Sequence, residues 1–164
     1  VTTLHVADTG LVVALGQPSD ERYRAVERFA RQNEVSFTLP RRVYDELTEP
    51  TETTRPPVDT AVADGWICVA DPLAYHVSLV SRVMDGVQRY VANADGRPAD
   101  EVERADAALA GVVAHGFAVD DVEAAYVYTT DVAAGRGVET VFTDEGYGDS
   151  VVFVDGFRFV EDLR

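Results

Sequence analysis

"ERADAALAGVVAH", residues 103–115, is rich in alanine and free of proline, the make-up of a helix interior. With the residue before it, Val102, Asp106, Leu109 and Val113 fall at i, i+4, i+7 and i+11 and share one helix face. Three of the four are apolar and one is a carboxylate. An acid on a core-facing stripe marks a place where the core ends and a polar site begins. The plainer reading is a stripe border, with Asp106 half exposed or paired to Arg104 or Arg136.

Bulk composition decides how unusual any one acid is. The chain has 164 residues, 46% of them hydrophobic, enough for one domain with a sizeable core spanning residues 1–164. It carries 29 acids against 14 bases, a formal charge of −15, and every base is arginine. Such an acidic surface without lysine suits a salt-loving organism, an archaeon being the expectation. At molar salt the Debye length is only about 3 Å, so repulsion among surface carboxylates is largely screened. Acidity therefore does not exclude a nucleic-acid partner, and most of the acids are expected to be solvated surface.

No apolar run is long enough to span a membrane. The start, "VTTLHVADTG", lacks the basic and cleavage-site pattern of a signal peptide. Cys68 is the single cysteine, which rules out an internal disulfide and a cysteine-based zinc site. A cytoplasmic setting is expected.

Around the helix at 103–115, strands and helices alternate. "TLHVAD" (3–8) reads as a first strand ending on an acid, with a short helix at 10–16. A helix over 19–33 opens with Ser19 as N-cap and carries Tyr23, Val26 and Ala30 on its apolar stripe. "VSFTLP" (35–40) is a second strand, 41–49 a helix, 50–60 an exposed loop with a short helix expected after it, and "GWICVAD" (65–71) a third strand. Residues 72–96 read as one long helix with Pro72 in its first turn and His76 at the stripe's edge. After the break at Gly96 and Pro98 comes the helix of Asp106, then the link "GFAVDDVE" (116–123). "AAYVYTTD" (124–131) is a fourth strand, again ending on an acid. A brief helix at 132–136 leads to a fifth strand, "VETVFTD" (138–144). Two alternating runs about Asp155-Gly156 (151–161) predict a C-terminal β-hairpin.

Crossovers of this length imply a mostly parallel sheet with helices on both faces, and sites in such folds lie beyond the carboxyl ends of the strands. Asp8 and Asp131 fall at two such ends, Glu46 on the helix after strand two, and Asp106 on the helix before strand four. Four clustered carboxylates repel one another unless a cation joins them. Mg²⁺ or Mn²⁺ takes oxygen ligands, lowers the pKa of a bound water and can aim it at a phosphodiester.

"HVADTG" with Asp8-Thr9, "RRVYDEL" with Glu46, "ERADAALAG" with Asp106 and "VYTTD" with Asp131 together resemble the four signatures of PIN domains, metal-dependent ribonucleases. "ADGWICVAD" resembles that family's third strand region. The resemblance covers essentially the whole chain. It implies a three-layer α/β/α sandwich with a five-stranded parallel sheet of order 3-2-1-4-5. It also implies that Asp8, Glu46, Asp106 and Asp131 are catalytic and hold Mg²⁺ or Mn²⁺, with Thr9 and Thr129 orienting them by hydrogen bonds. Glu103 is either a further ligand or a solvated acid, and Asp144 and Asp149 are weaker candidates after strand five. Gly10 stands where the family most often has serine, which removes one hydroxyl. The 116–123 link is longer than usual, and the hairpin is an addition.

The implied function is an endoribonuclease, either the toxin of a toxin–antitoxin pair with a small antitoxin partner or an RNA-processing nuclease. RNA is the substrate, with Arg41 and Arg42 as phosphate contacts, and a homodimer is expected from the family tendency and the apolar 72–96 helix. One cysteine cannot build the zinc ribbon of a ribosomal-RNA maturation nuclease. The alternative is a catalytically inactive PIN-like module that binds RNA or protein. A third reading, a phosphoacceptor domain using paired acids and Mg²⁺, is weakened by the absence of lysine.

Overall fold

The structure, a computed structural model, describes residues 2–49, 56–96, 98 and 104–164. Its centre is a five-stranded sheet in the order β3-β2-β1-β4-β5. The strands are β1 (Thr3–Ala7), β2 (Phe37–Leu39), β3 (Ile67–Val69), β4 (Ala124–Thr129) and β5 (Val151–Asp155). All neighbours pair in parallel, with His5 opposite Phe37 and Leu4 opposite Ala125. The helices are α1 (Thr9–Leu15), α2 (Glu21–Gln32), α3 (Arg41–Leu47), α4 (Pro57–Ala63), α5 (Ser78–Asp95), α6 (Arg104–Val119), α7 (Val132–Asp144) and α8 (Gly156–Leu163).

Side chains alternate across the pleat, and the sheet separates two apolar cores. On one face Val6, Val127 and Val151 meet Val83 and Val87 of α5, Leu109 and Val113 of α6, and Val138 and Phe142 of α7. On the other, Ala7, Phe37, Leu39 and Tyr128 meet Leu11 of α1, Val26 of α2, Val43 of α3 and Val160 of α8. These two cores give the three layers that were expected. Sequential strands run outward from β1 to β3, and the chain then returns to β4 on the far side of β1. The reversal makes a switch point between β1 and β4, where the loops part and leave a crevice.

Several expectations are corrected. The C-terminal hairpin is absent: β5 adds in parallel to β4, and Asp155-Gly156 starts α8 instead of a turn. Asp155 Oδ1 accepts from the backbone N–H groups of Phe157 and Arg158 at 3.1 and 3.2 Å, so an Asp-Gly pair that suits a tight turn here caps a helix. The fifth strand expected at 138–144 is the second half of α7, and β5 lies at 151–155. Val138 and Phe142, at i and i+4, are both fully buried, and this packing overrides the strand preference of a Val/Thr/Phe-rich run.

Gly135 lies where α7 meets the sheet. A Cβ there would overlap the ring of Phe153 on β5, so glycine is kept for close helix–sheet approach and the helix runs on through it.

Other boundaries shift. The long helix begins at Ser78, with Pro72 outside it, and His76 is exposed. Asp20, not Ser19, is the N-cap residue of α2. The short helix expected before the third strand is α4, which starts earlier, within the end of the 50–60 stretch, and residues 50–55 lie outside the described ones. α6 runs to Val119, so the long link shrinks to residues 120–123. The apolar stripe of α5 packs on α6 and α7 within the chain, so the homodimer expectation draws no support from it. Among the described residues no helix is long and apolar enough to cross a membrane.

Candidate metal centre

β1 ends at Ala7, and the next residue carries the first carboxylate to the crevice. Asp8 is only 8% exposed and is the N-cap of α1, its Oδ1 accepting from the Leu11 N–H at 2.9 Å. Its Oδ2 accepts a hydrogen bond from Thr129 Oγ1, at the end of β4. Thr129 is fully buried, and the same hydroxyl accepts from the Asp131 N–H at 3.0 Å. One threonine thus ties the two strand-end acids together, orienting the Asp8 carboxylate and holding the main chain of Asp131.

Asp131 is exposed and caps α7, with Oδ1 accepting from the Ala134 N–H at 3.1 Å. Both acids therefore sit at helix N-termini, where aligned peptide dipoles favour negative charge. That does not fully compensate Asp8. Burial pushes its carboxyl above the ordinary carboxylate value; bonds from Thr129, Leu11 and Thr130 pull it down, and the charge of Asp131 raises it again.

Glu46 comes to the crevice from α3, one helix over. Its Oε2 accepts from Thr9 Oγ1 at 3.0 Å, and Arg42 Nε stands 3.8 Å from its Oε1. Thr9 follows Asp8 directly, so this contact ties Glu46 to the residue after the first acid. Arg41 and Arg42 are both exposed in the first turn of α3.

Asp106 lies in the first turn of α6, half-buried. Leu109 and Val113 of its stripe are fully buried, and Ala105 packs into the core formed by Ala7, Leu11, Val43 and Tyr128. The stripe therefore does lead from core to rim at Asp106. Val102 and Glu103 lie outside the described residues.

Asp144 and Asp149 are misplaced by the sequence reading. Both precede β5, one ending α7 and the other in a 3₁₀ turn (Gly148–Ser150), so they stand at the edge opposite Asp8. The acid at the carboxyl end of β5 is Asp155, opposite Thr129 in register. It was missed because Asp-Gly read as a turn. Thr130 was missed as well, although it supplies a backbone N–H to Asp8. Thr130 also bears on the glycine at position 10. Its Oγ1 occupies the place a Cβ of residue 10 would take, so a hydroxyl absent from α1 is present there from the end of β4. No sequence signal marks that exchange, because it depends on two segments meeting.

Among the described residues, no three His, Cys, Asp or Glu side chains stand close enough to hold a metal ion. The donor chemistry nonetheless fits a hard divalent cation: every candidate ligand is a carboxylate oxygen. A cation would also relieve both causes that raise Asp8.

A family profile described as the halobacterial PIN domain matches residues 1–164. The chain belongs to that family, and the halophilic origin accords with its acidic, lysine-free composition. PIN domains are in general nucleases that use divalent metals. No curated protein gives a significant match.

Proposed function

We propose that this protein is a Mg²⁺- or Mn²⁺-dependent endoribonuclease that hydrolyses RNA phosphodiester bonds. Asp8, Glu46, Asp106 and Asp131 would hold the cation. A bound cation of this kind supplies an acidified water and neutralises charge at the phosphodiester. Thr129 holds Asp8 and Asp131 in register, and Thr9 holds Glu46. Loss of either hydroxyl would free a carboxylate to rotate. The observation that carries this reading is Asp8, a buried carboxylate with an acid neighbour, set at the switch point by three donors. The biological role is that of a toxin neutralised by a small antitoxin, or of an RNA-processing nuclease.

The test is cleavage of a mixed RNA pool with Mn²⁺ at molar potassium chloride, by wild type and by Asp106→Asn. Cleavage by the wild type that is lost with EDTA and with the substitution supports the proposal. Equal cleavage by both removes Asp106 from the site. Folded protein that cleaves nothing favours an inactive module that binds RNA or protein.

A further inference from the structure

A groove of about 570 Å³ runs between the first turn of α3, residues 72–75, α5 and the first turns of α6. Arg41 and Arg42 line one side, and Leu73 and Met84 give it an apolar floor. Ala107 and Ala108 also line it, so the groove borders the residues that follow Asp106. At its rim stands Tyr75, 62% exposed, whose ring stacks on no other ring among the described residues. Its main chain is held all the same: Ser81 Oγ donates to the Tyr75 carbonyl at 2.6 Å, tying the segment to α5.

An exposed tyrosine is ordinary on a protein surface. Three things set this one apart: an anchored backbone, a groove beside it that runs along α3 and α6, the helices that carry Glu46 and Asp106, and two arginines lining the same groove. Asp45 and Asp85 also line the groove and weaken its pull on phosphate. Salt weakens it further, because phosphate binding draws on counterion release, and that term collapses at molar salt. Base–aromatic stacking does not depend on that term. In a halophilic setting a nucleic-acid groove therefore needs an aromatic platform more than it needs charge.

We propose that Tyr75 is the stacking platform for one base of single-stranded RNA lying in this groove, with Arg41 and Arg42 on the adjoining phosphates. The ligand class rests on the RNA-cleaving function above, but the binding itself needs neither metal nor cleavage.

The experiment is fluorescence anisotropy of a short labelled single-stranded RNA at molar potassium chloride with EDTA. Wild type, Tyr75→Ala and Tyr75→Trp are compared, with an RNA duplex as control. Tyr75→Ala is expected to bind the single strand about tenfold more weakly, the scale of one lost stack. Tyr75→Trp keeps or strengthens binding, and the duplex, whose bases already stack on one another, is indifferent to either change. The proposal is overturned by equal binding of wild type and Tyr75→Ala, by a Tyr75→Trp that falls with the alanine variant, or by a wild type that binds no single strand. RNA that binds with Tyr75 dependence but is never cleaved leaves this inference standing and removes the nuclease.

Discussion

Gly10 and Thr130 occupy one volume between them, and neither makes sense alone. The hydroxyl of Thr130 fills the space over Gly10, so a serine at position 10 has nowhere to go. Gly10→Ser is expected to destabilise the protein by about 1–3 kcal/mol, the cost of overpacking a filled site. Adding Thr130→Ala should recover most of the loss, and a double-mutant cycle by thermal unfolding reads the coupling. Additive effects would show that the two positions do not share the space. Asp8 gives a second prediction at this scale. Its carboxyl is raised in the fold, so the folded protein holds that proton more tightly than the unfolded chain. Its contribution to stability is therefore complete below the ordinary carboxylate value and falls as the pH rises through the folded value. Asp8→Asn, which can still cap α1, should melt a few degrees above wild type at neutral pH in EDTA, and the gap should close on acidification. Mn²⁺ should raise the melting point of wild type alone. A variant that melts lower in EDTA would show that the hydrogen bonds outweigh the burial.

The element that departs most from its sequence reading is α7, where a Val/Thr/Phe run suggests a strand and burial of Val138 and Phe142 makes a helix. Gly135 and Gly137 lie near its start. In the fold both glycines are buried in a continuous helix, and Gly135 lets α7 settle on Phe153 of β5. Gly135→Ala should accordingly destabilise the protein, by about 1–3 kcal/mol, even though alanine is the better helix former by about 1 kcal/mol. Urea unfolding decides it, since a gain in stability would mean that β5 and α7 have room between them. α8 teaches the complementary lesson. Its Val160 is buried and its Phe159 and Leu163 half-buried, a spacing of one and four that belongs to a helix. The Asp-Gly pair drew attention away from that spacing.

At the scale of the whole molecule, charge dominates. The chain carries −15, and its ion pairs among the described residues are spread over the surface. Uncompensated carboxylates repel over a Debye length, about 10 Å at 0.1 M salt and about 3 Å at 1 M. The melting temperature should therefore climb as potassium chloride rises from 0.1 M toward molar concentration, followed by circular dichroism. A flat dependence would mean that the acids are spaced too widely for their repulsion to matter. The same screening shapes function, for it removes much of the attraction between any cationic patch and a phosphate chain. What remains is geometry: a crevice at the β1–β4 switch point and a groove along α3 and α6, the helices that carry Glu46 and Asp106.

The resemblance to PIN domains supplied the strand order, while the alternation of strands and helices, the parallel sheet, and the positions of Asp8 and Asp131 at strand ends could be read from the chain itself. These are properties of local periodicity and of spacing along the sequence, where burial of one face leaves a repeating mark. The stripe bearing Asp106 was legible for the same reason. The hairpin that became β5 and α8, the strand that became half of α7, and the placement of Asp144 and Asp149 were not. In each, a local preference of about 1 kcal/mol or less met burial worth more, and burial is decided by segments distant in sequence. The threonine bridge from Asp8 to Asp131 and the exchange of a hydroxyl between positions 10 and 130 join the two ends of the central pair of strands. Those are contacts, and a contact exists only once the chain has folded.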